Sequence, residues 1–269
     1  MSRRRQPKGK NARTPRRILL SPAQAIDESL VIPTWWLKTV IALFLLPIAG
    51  LLTLTLFGSF SEAAARHSVW ATEEFWFFAL GAVIWLLAFF GAVWLYGEPR
   101  PLRVYVFGHE LTHAIWVWLM GGRVSEFRVN RDGGHILADT HNFWIALAPY
   151  FYPLYSIAVI ALYGVVSFFY DVSPYTPVLF ALLGLTWAFH ISFTVWMIPK
   201  GQSDLSHHGT VFSLVIIYLM NLLLLTALLI VATPEITWQS VGLELLENTE
   251  EFADFLWRGA LWFSGLEGN

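Results

Sequence analysis

Along this chain, long apolar stretches alternate with short polar ones. Four of the apolar runs, residues 39–61, 75–97, 143–170 and 209–234, contain no Lys, Arg, Asp or Glu. A helix of about 20 apolar residues crosses the hydrocarbon core of a bilayer, so each run predicts a transmembrane span. Two further runs, residues 102–120 and 176–198, are apolar but interrupted by ionisable groups. The pattern therefore predicts six spans.

The polar breaks are punctuated by turn residues. "YGEPRPLR", residues 96–103, is a proline-rich turn that ends the second span and allows the third to begin near Leu102. The third stops at "MGG", residues 120–122, where a glycine can take the left-handed conformation of a helix end. Residues 123–140 read as a β-hairpin, with short β-prone runs on either side of Asp132-Gly133-Gly134. Pro149 and Pro153 predict a bend in the fourth span. After Pro234, Val241, Leu245, Phe252, Phe255 and Trp262 recur at roughly helical spacing, with Glu244, Glu247, Glu250, Glu251 and Asp254 between them. This predicts an amphipathic helix whose acidity favours packing on the protein over docking on anionic lipid. The fold class expected is an all-α polytopic membrane protein of about six transmembrane helices. A small membrane-associated β-hairpin follows the third helix, and a C-terminal amphipathic helix ends the chain.

Composition agrees with that reading. The chain is 56% hydrophobic and 13% charged, against about 25% charged in a soluble domain. Eight of the 17 Lys and Arg residues fall within residues 1–17, which hold no acid. The remaining nine basic residues face 19 acidic ones, so a net of −10 underlies the overall −2. Residues 1–32 are expected to be a basic, disordered arm on the cytoplasmic side, held near anionic lipid. Nucleic acid is not expected as a partner. Counting Lys and Arg on alternate sides of six spans gives 12 with the N-terminus and five opposite. The positive-inside bias thus puts the N-terminus in the cytoplasm and the hairpin outside. No cysteine is present, so any metal must take nitrogen and oxygen donors.

Candidate chemistry sits in "FGHELTHAIW", residues 107–116, inside the third run. One isolated charge at mid-bilayer costs about 2.5–3.5 kcal/mol or more, so three ionisable groups within five residues call for partners or a polar cavity. On a helix, positions i and i+4 share a face, and His109 and His113 can address one metal ion. Glu110 projects beside them, placed to act as a general base toward a water. H-E-x-x-H is therefore a metalloprotease constellation with a physical reason at each position. A third ligand must come from elsewhere. Pro199 and Gly201 can fold the chain back to bring Asp204 to the histidines; His190, His207 and His208 remain open alternatives. His135, Asp139 and His141 read as ordinary loop residues.

"HELTHAIW", the helix end at "GGR" and the glycine-containing hairpin together resemble the site-2 protease family of intramembrane zinc metalloproteases. The resemblance covers residues 99–209. Residues 33–98 would be two accessory helices, residues 210–234 a sixth span and residues 235–269 the amphipathic helix. The resemblance implies one zinc per chain, His109 and His113 as metal ligands, Glu110 as general base and Asp204 as third ligand. This chain departs from the family's pattern at Leu205, where glycine usually follows the aspartate; here glycine comes only at Gly209. A further implication is cleavage of transmembrane segments of other proteins within the bilayer, with the hairpin edge holding the opened substrate near Gly133, Gly134 and His135. The family's active site lies nearer the cytoplasmic face, opposite to the side that six alternating spans assign. A bacterial inner membrane is the expected location. The competing readings are an inactive protease relative and a metal-binding transporter or scaffold.

Overall fold

The computed structural model describes residues 35–66, 68–130, 133–233 and 235–264. The predicted arm at residues 1–32 lies outside the described residues, as does Asp132 of the turn signal. The described chain is mostly helical, with one two-stranded sheet.

Helix α1 (Trp35–Ala65) carries Pro47 inside it and is followed by the single turn α2 (Ser68–Ala71). Helix α3 (Glu73–Tyr96) opens with Glu73 and Glu74, whose carboxylates meet the positive end of the helix. It ends at Gly97, whose φ of 74° lets its N–H reach the Val93 carbonyl. Helix α4 (Leu102–Leu119) starts directly after Pro101 and stops ahead of Gly121, at φ 77°. Strands β1 (Val124–Val129) and β2 (Gly134–Ala138) pair antiparallel, with Val129 opposite Gly134 and an irregularity between Val124 and Glu126. Then come α5 (Phe143–Phe151), α6 (Leu154–Ser167), α7 (Thr176–Met197), α8 (Ser203–His208), α9 (Thr210–Ala232) and α10 (Trp238–Ser264).

Among the described residues, α1, α3, α7 and α9 are each long and apolar enough to cross a membrane, and α5 with α6 would make a fifth span. That is four or five where the hydrophobic pattern predicts six. The helix that falls short is α4, whose 18 residues include Arg103, His109, Glu110 and His113. The predicted bend in the fourth span is a break: α5 and α6 meet at 74°. Pro153 lacks the N–H needed to continue α5, and Asn221 Nδ2 of α9 donates to the Tyr150 carbonyl at 3.0 Å. The outward faces are apolar, with Phe44, Trp94 and Phe168 each at least three-quarters exposed. A water-soluble surface rarely presents so continuous an apolar area, whereas a bilayer requires one.

Two packing contacts position the site. Helices α3 and α7 cross at backbone contact, where a Cβ on Gly81 would lie 1.8 Å from the Ala181 oxygen and one on Gly184 1.9 Å from the Phe78 oxygen. Small residues permit such close approach in membrane helices. Beside the crossing, Trp85, Phe89, Phe189 and Phe193 form an aromatic cluster, on which Tyr105 of α4 stacks with 4.6 Å between its ring and that of Phe193. Helix α3 thereby braces α4 one turn before His109. On the other side, the buried residues Leu147, Tyr150 and Phe151 of α5 pack against Leu205 of α8 and Ile217 of α9. The acidic helix α10 lies on α1, where Asn248 Nδ2 donates to Thr55 Oγ1 at 3.2 Å and Gly58 leaves room for Glu244.

Candidate metal centre

His109 and His113 lie one turn apart on α4, and their Nε2 atoms are 3.2 Å from each other. Asp204, from α8, places Oδ2 3.4 Å from His109 Nε2 and 3.5 Å from His113 Nε2. The three donors thus form a nearly equilateral triangle. A tetrahedral zinc ion with bonds of about 2.0–2.1 Å spaces its ligand atoms about 3.3–3.4 Å apart. The triangle has the dimensions of one face of that tetrahedron.

Neighbouring groups orient each donor. His113 Nδ1–H donates to the Ile145 carbonyl at 2.8 Å, which leaves the lone pair on Nε2 aimed at the triangle. Ile145 is held in turn by Asn142, whose side chain caps α5 by accepting from the Ile145 N–H at 3.0 Å. The Tyr105 hydroxyl is 3.4 Å from His109 Nδ1, and the Tyr150 hydroxyl donates to Asp204 Oδ2 at 3.1 Å. Burial alone would raise the Asp204 carboxyl, but the adjoining imidazoles of His109 and His113 outweigh it and hold the group below the ordinary carboxylate range. It is ionised at neutral pH. Lone pairs that converge this closely repel one another unless a proton or a metal cation lies between them, and a nitrogen–oxygen donor set without thiolate suits zinc.

Over the triangle lies a cavity of about 440 Å3 whose walls include Glu110, the whole of β2 and residues 202–204. Glu110 is buried. Gly134 passes so close above it that an added Cβ would meet Glu110 Cγ at 2.5 Å. The hairpin can approach the carboxylate only because position 134 has no side chain. His135 also lines the cavity, 3.8 Å from Glu126 through its Nε2, whereas Gly133 sits at the turn outside the lining, at φ 144°.

Of the residues left open as third ligand, Asp204 joins the two histidines. His190 is buried in α7 and shares a small cavity with Tyr105 and His109, its Nε2 without a hydrogen-bond partner among the described residues. His207 and His208 stand in a different group, with His141. Residues 203–208 form a helix. Asp139 accepts from the Arg123 N–H at 2.7 Å and ties off the hairpin. Sequence reasoning missed Tyr105, Tyr150 and the Ile145 carbonyl. Tyr105 could have been found from its position one turn before His109; the other two reach the site only through long-range packing.

Comparison of the chain with protein-family models, with curated proteins and with solved structures finds no match.

Proposed function

We propose that this chain is a membrane-embedded zinc endopeptidase that cleaves transmembrane segments of other proteins, akin to the site-2 proteases. The observation that carries the reading is the His109–His113–Asp204 triangle, with edges of 3.2, 3.4 and 3.5 Å, beside the Glu110 carboxylate. His109, His113 and Asp204 would hold the ion. When bound, zinc supplies a Lewis acid for the scissile carbonyl and acidifies a water.

The chain's own groups account for the rest. Glu110 takes a proton from the attacking water and passes it to the leaving amine, a role that needs a carboxylate within reach of the cavity. Tyr150 and the Ile145 carbonyl keep Asp204 and His113 in register. A peptide bond inside a helix is shielded by its own turns, so the substrate must open before water can reach it. β2 pairs with β1 on one side and runs along the cavity for its full length, so its second edge can hold the opened segment by main-chain hydrogen bonds. The apolar outer faces of α1, α3 and α9 match a bilayer location.

An inactive relative or a metal transporter could use the same three ligands but would have no need of Glu110. Zinc content and cleavage of a model transmembrane substrate, measured for the wild type and Glu110→Gln, separate these readings. The variant is expected to keep its zinc and lose cleavage by about 10²–10⁴-fold. Equal cleavage by both proteins would rule out the proposed role of Glu110.

A further inference from the structure

A second group of nitrogen donors lies beside the cavity and has no part in the chemistry above. His141 follows the hairpin, and His207 and His208 end α8. Their rings approach to 5.3 Å for His141 and His207, 5.5 Å for His141 and His208, and 5.0 Å for His207 and His208. One ligand atom from each lies within 4.8 Å of the others. Three imidazoles converging from two separate segments have no packing advantage over apolar rings. His208 makes the point sharper. It is 8% exposed, and its Nε2 finds no hydrogen-bond partner among the described residues, a costly state for a buried polar atom. Its Nδ1 already faces a cation, the Lys38 ammonium at 3.1 Å.

We propose that His141, His207 and His208 form a second metal site, for a first-row transition-metal dication such as zinc or copper. The donor set is three imidazoles with no carboxylate in the group, which selects these ions over magnesium or calcium. His141 and His207 are exposed, so ions enter from the aqueous side and a water can complete the shell.

The site has a structural consequence. His141 belongs to the segment between β2 and α5, next to the α5 cap Asn142 and at the wall of the cavity. His207 and His208 share the six-residue helix α8 with Asp204. A metal bridging the two segments staples the exit of the hairpin to the helix that carries Asp204. Occupancy of the outer site therefore stiffens the wall of the inner one. Lys38 opposes binding: its ammonium donates to His208 Nδ1, which keeps the proton of the neutral ring on Nε2, so this contact must open before the ring can ligate. This assignment stands whether or not the inner centre is catalytic.

The test is metal content of the full chain, purified in detergent without a polyhistidine tag and equilibrated with zinc. Wild type should bind about two ions per chain; His207→Ala/His208→Ala and His109→Ala/His113→Ala should each bind about one. His141→Gln, a change at an exposed loop position, should weaken the outer ion at least tenfold by chelator competition, and Lys38→Met should strengthen it. Should the His207→Ala/His208→Ala protein misfold, His141→Gln alone decides the matter. Wild-type stoichiometry and affinity in His141→Gln overturn the proposal. A wild type with one ion, lost in His109→Ala/His113→Ala and kept in His207→Ala/His208→Ala, overturns the outer site while sparing the inner. One ion with the reverse pattern supports the outer site and contradicts the inner.

Discussion

The two donor groups, which meet α8 at Asp204 and at His207 and His208, differ in how their donors are held. In the inner group each donor has a second partner: the Ile145 carbonyl for His113, the Tyr105 hydroxyl beside His109 and the Tyr150 hydroxyl on Asp204. Its edges lie between 3.2 and 3.5 Å. In the outer group, two of three rings are exposed, and His208 Nε2 has no hydrogen-bond partner among the described residues. Both groups rely on imidazole, and the inner one adds a carboxylate. What differs is whether rotamer and tautomer are fixed before a metal arrives. A preset centre loses little side-chain entropy on binding, whereas the exposed outer rings must first be fixed in one rotamer. The inner centre should hold its ion more tightly.

That contrast can be sharpened by substitutions at the inner centre. Tyr150→Phe removes the hydroxyl donor to Asp204 and keeps the buried ring. Zinc affinity at the inner site is expected to fall by about 10–100-fold, with the outer site unmoved. Chelator competition on the two sites measures this, and an equal loss at both would erase the distinction drawn here. A smaller effect is expected at Gly134→Ala. Its added Cβ would press on Glu110 Cγ, 2.5 Å away, and move the carboxylate without touching a ligand. Cleavage should drop by about tenfold through misplacement of the carboxylate, with both ions retained. Zinc loss in this variant would show that the hairpin supports the ligands and not only the base.

Much of this was legible from local pattern. His109 and His113 share a helix face because they are four residues apart, and no tertiary information is needed to see it. The hairpin follows from Gly133-Gly134 between β-prone runs, and α10 from the spacing of Val241, Leu245 and Phe252. Pro149 and Pro153 signalled a bend, although the absence of charge in residues 143–170 concealed that two helices meet there at 74°. Charge-free runs report apolarity, and both a straight span and a broken one satisfy that condition. The third predicted span differs for the opposite reason: α4 is apolar enough around its ionisable residues to look like a span, yet its length and composition leave it outside the four or five counted among the described residues. Asp204 was reachable through the fold-back at Pro199 and Gly201, but Leu205 stands where the family's glycine was expected and left three histidines as alternatives. His141 read as a loop residue because its partners lie more than 60 positions away, and periodicity does not reach that far. Tyr150 left no mark at all, since one tyrosine in an apolar helix looks like packing.

The central claim is that His109, His113 and Asp204 hold one metal ion. X-ray absorption at the zinc edge, on His207→Ala/His208→Ala so that only the inner site contributes, tests it most directly. The expected shell contains two imidazole nitrogens and a carboxylate oxygen at about 2.0–2.1 Å, with the oxygen lost and the ion weakened in Asp204→Ala. A zinc-free protein, or a shell without imidazole scattering that is indifferent to Asp204, would contradict the account.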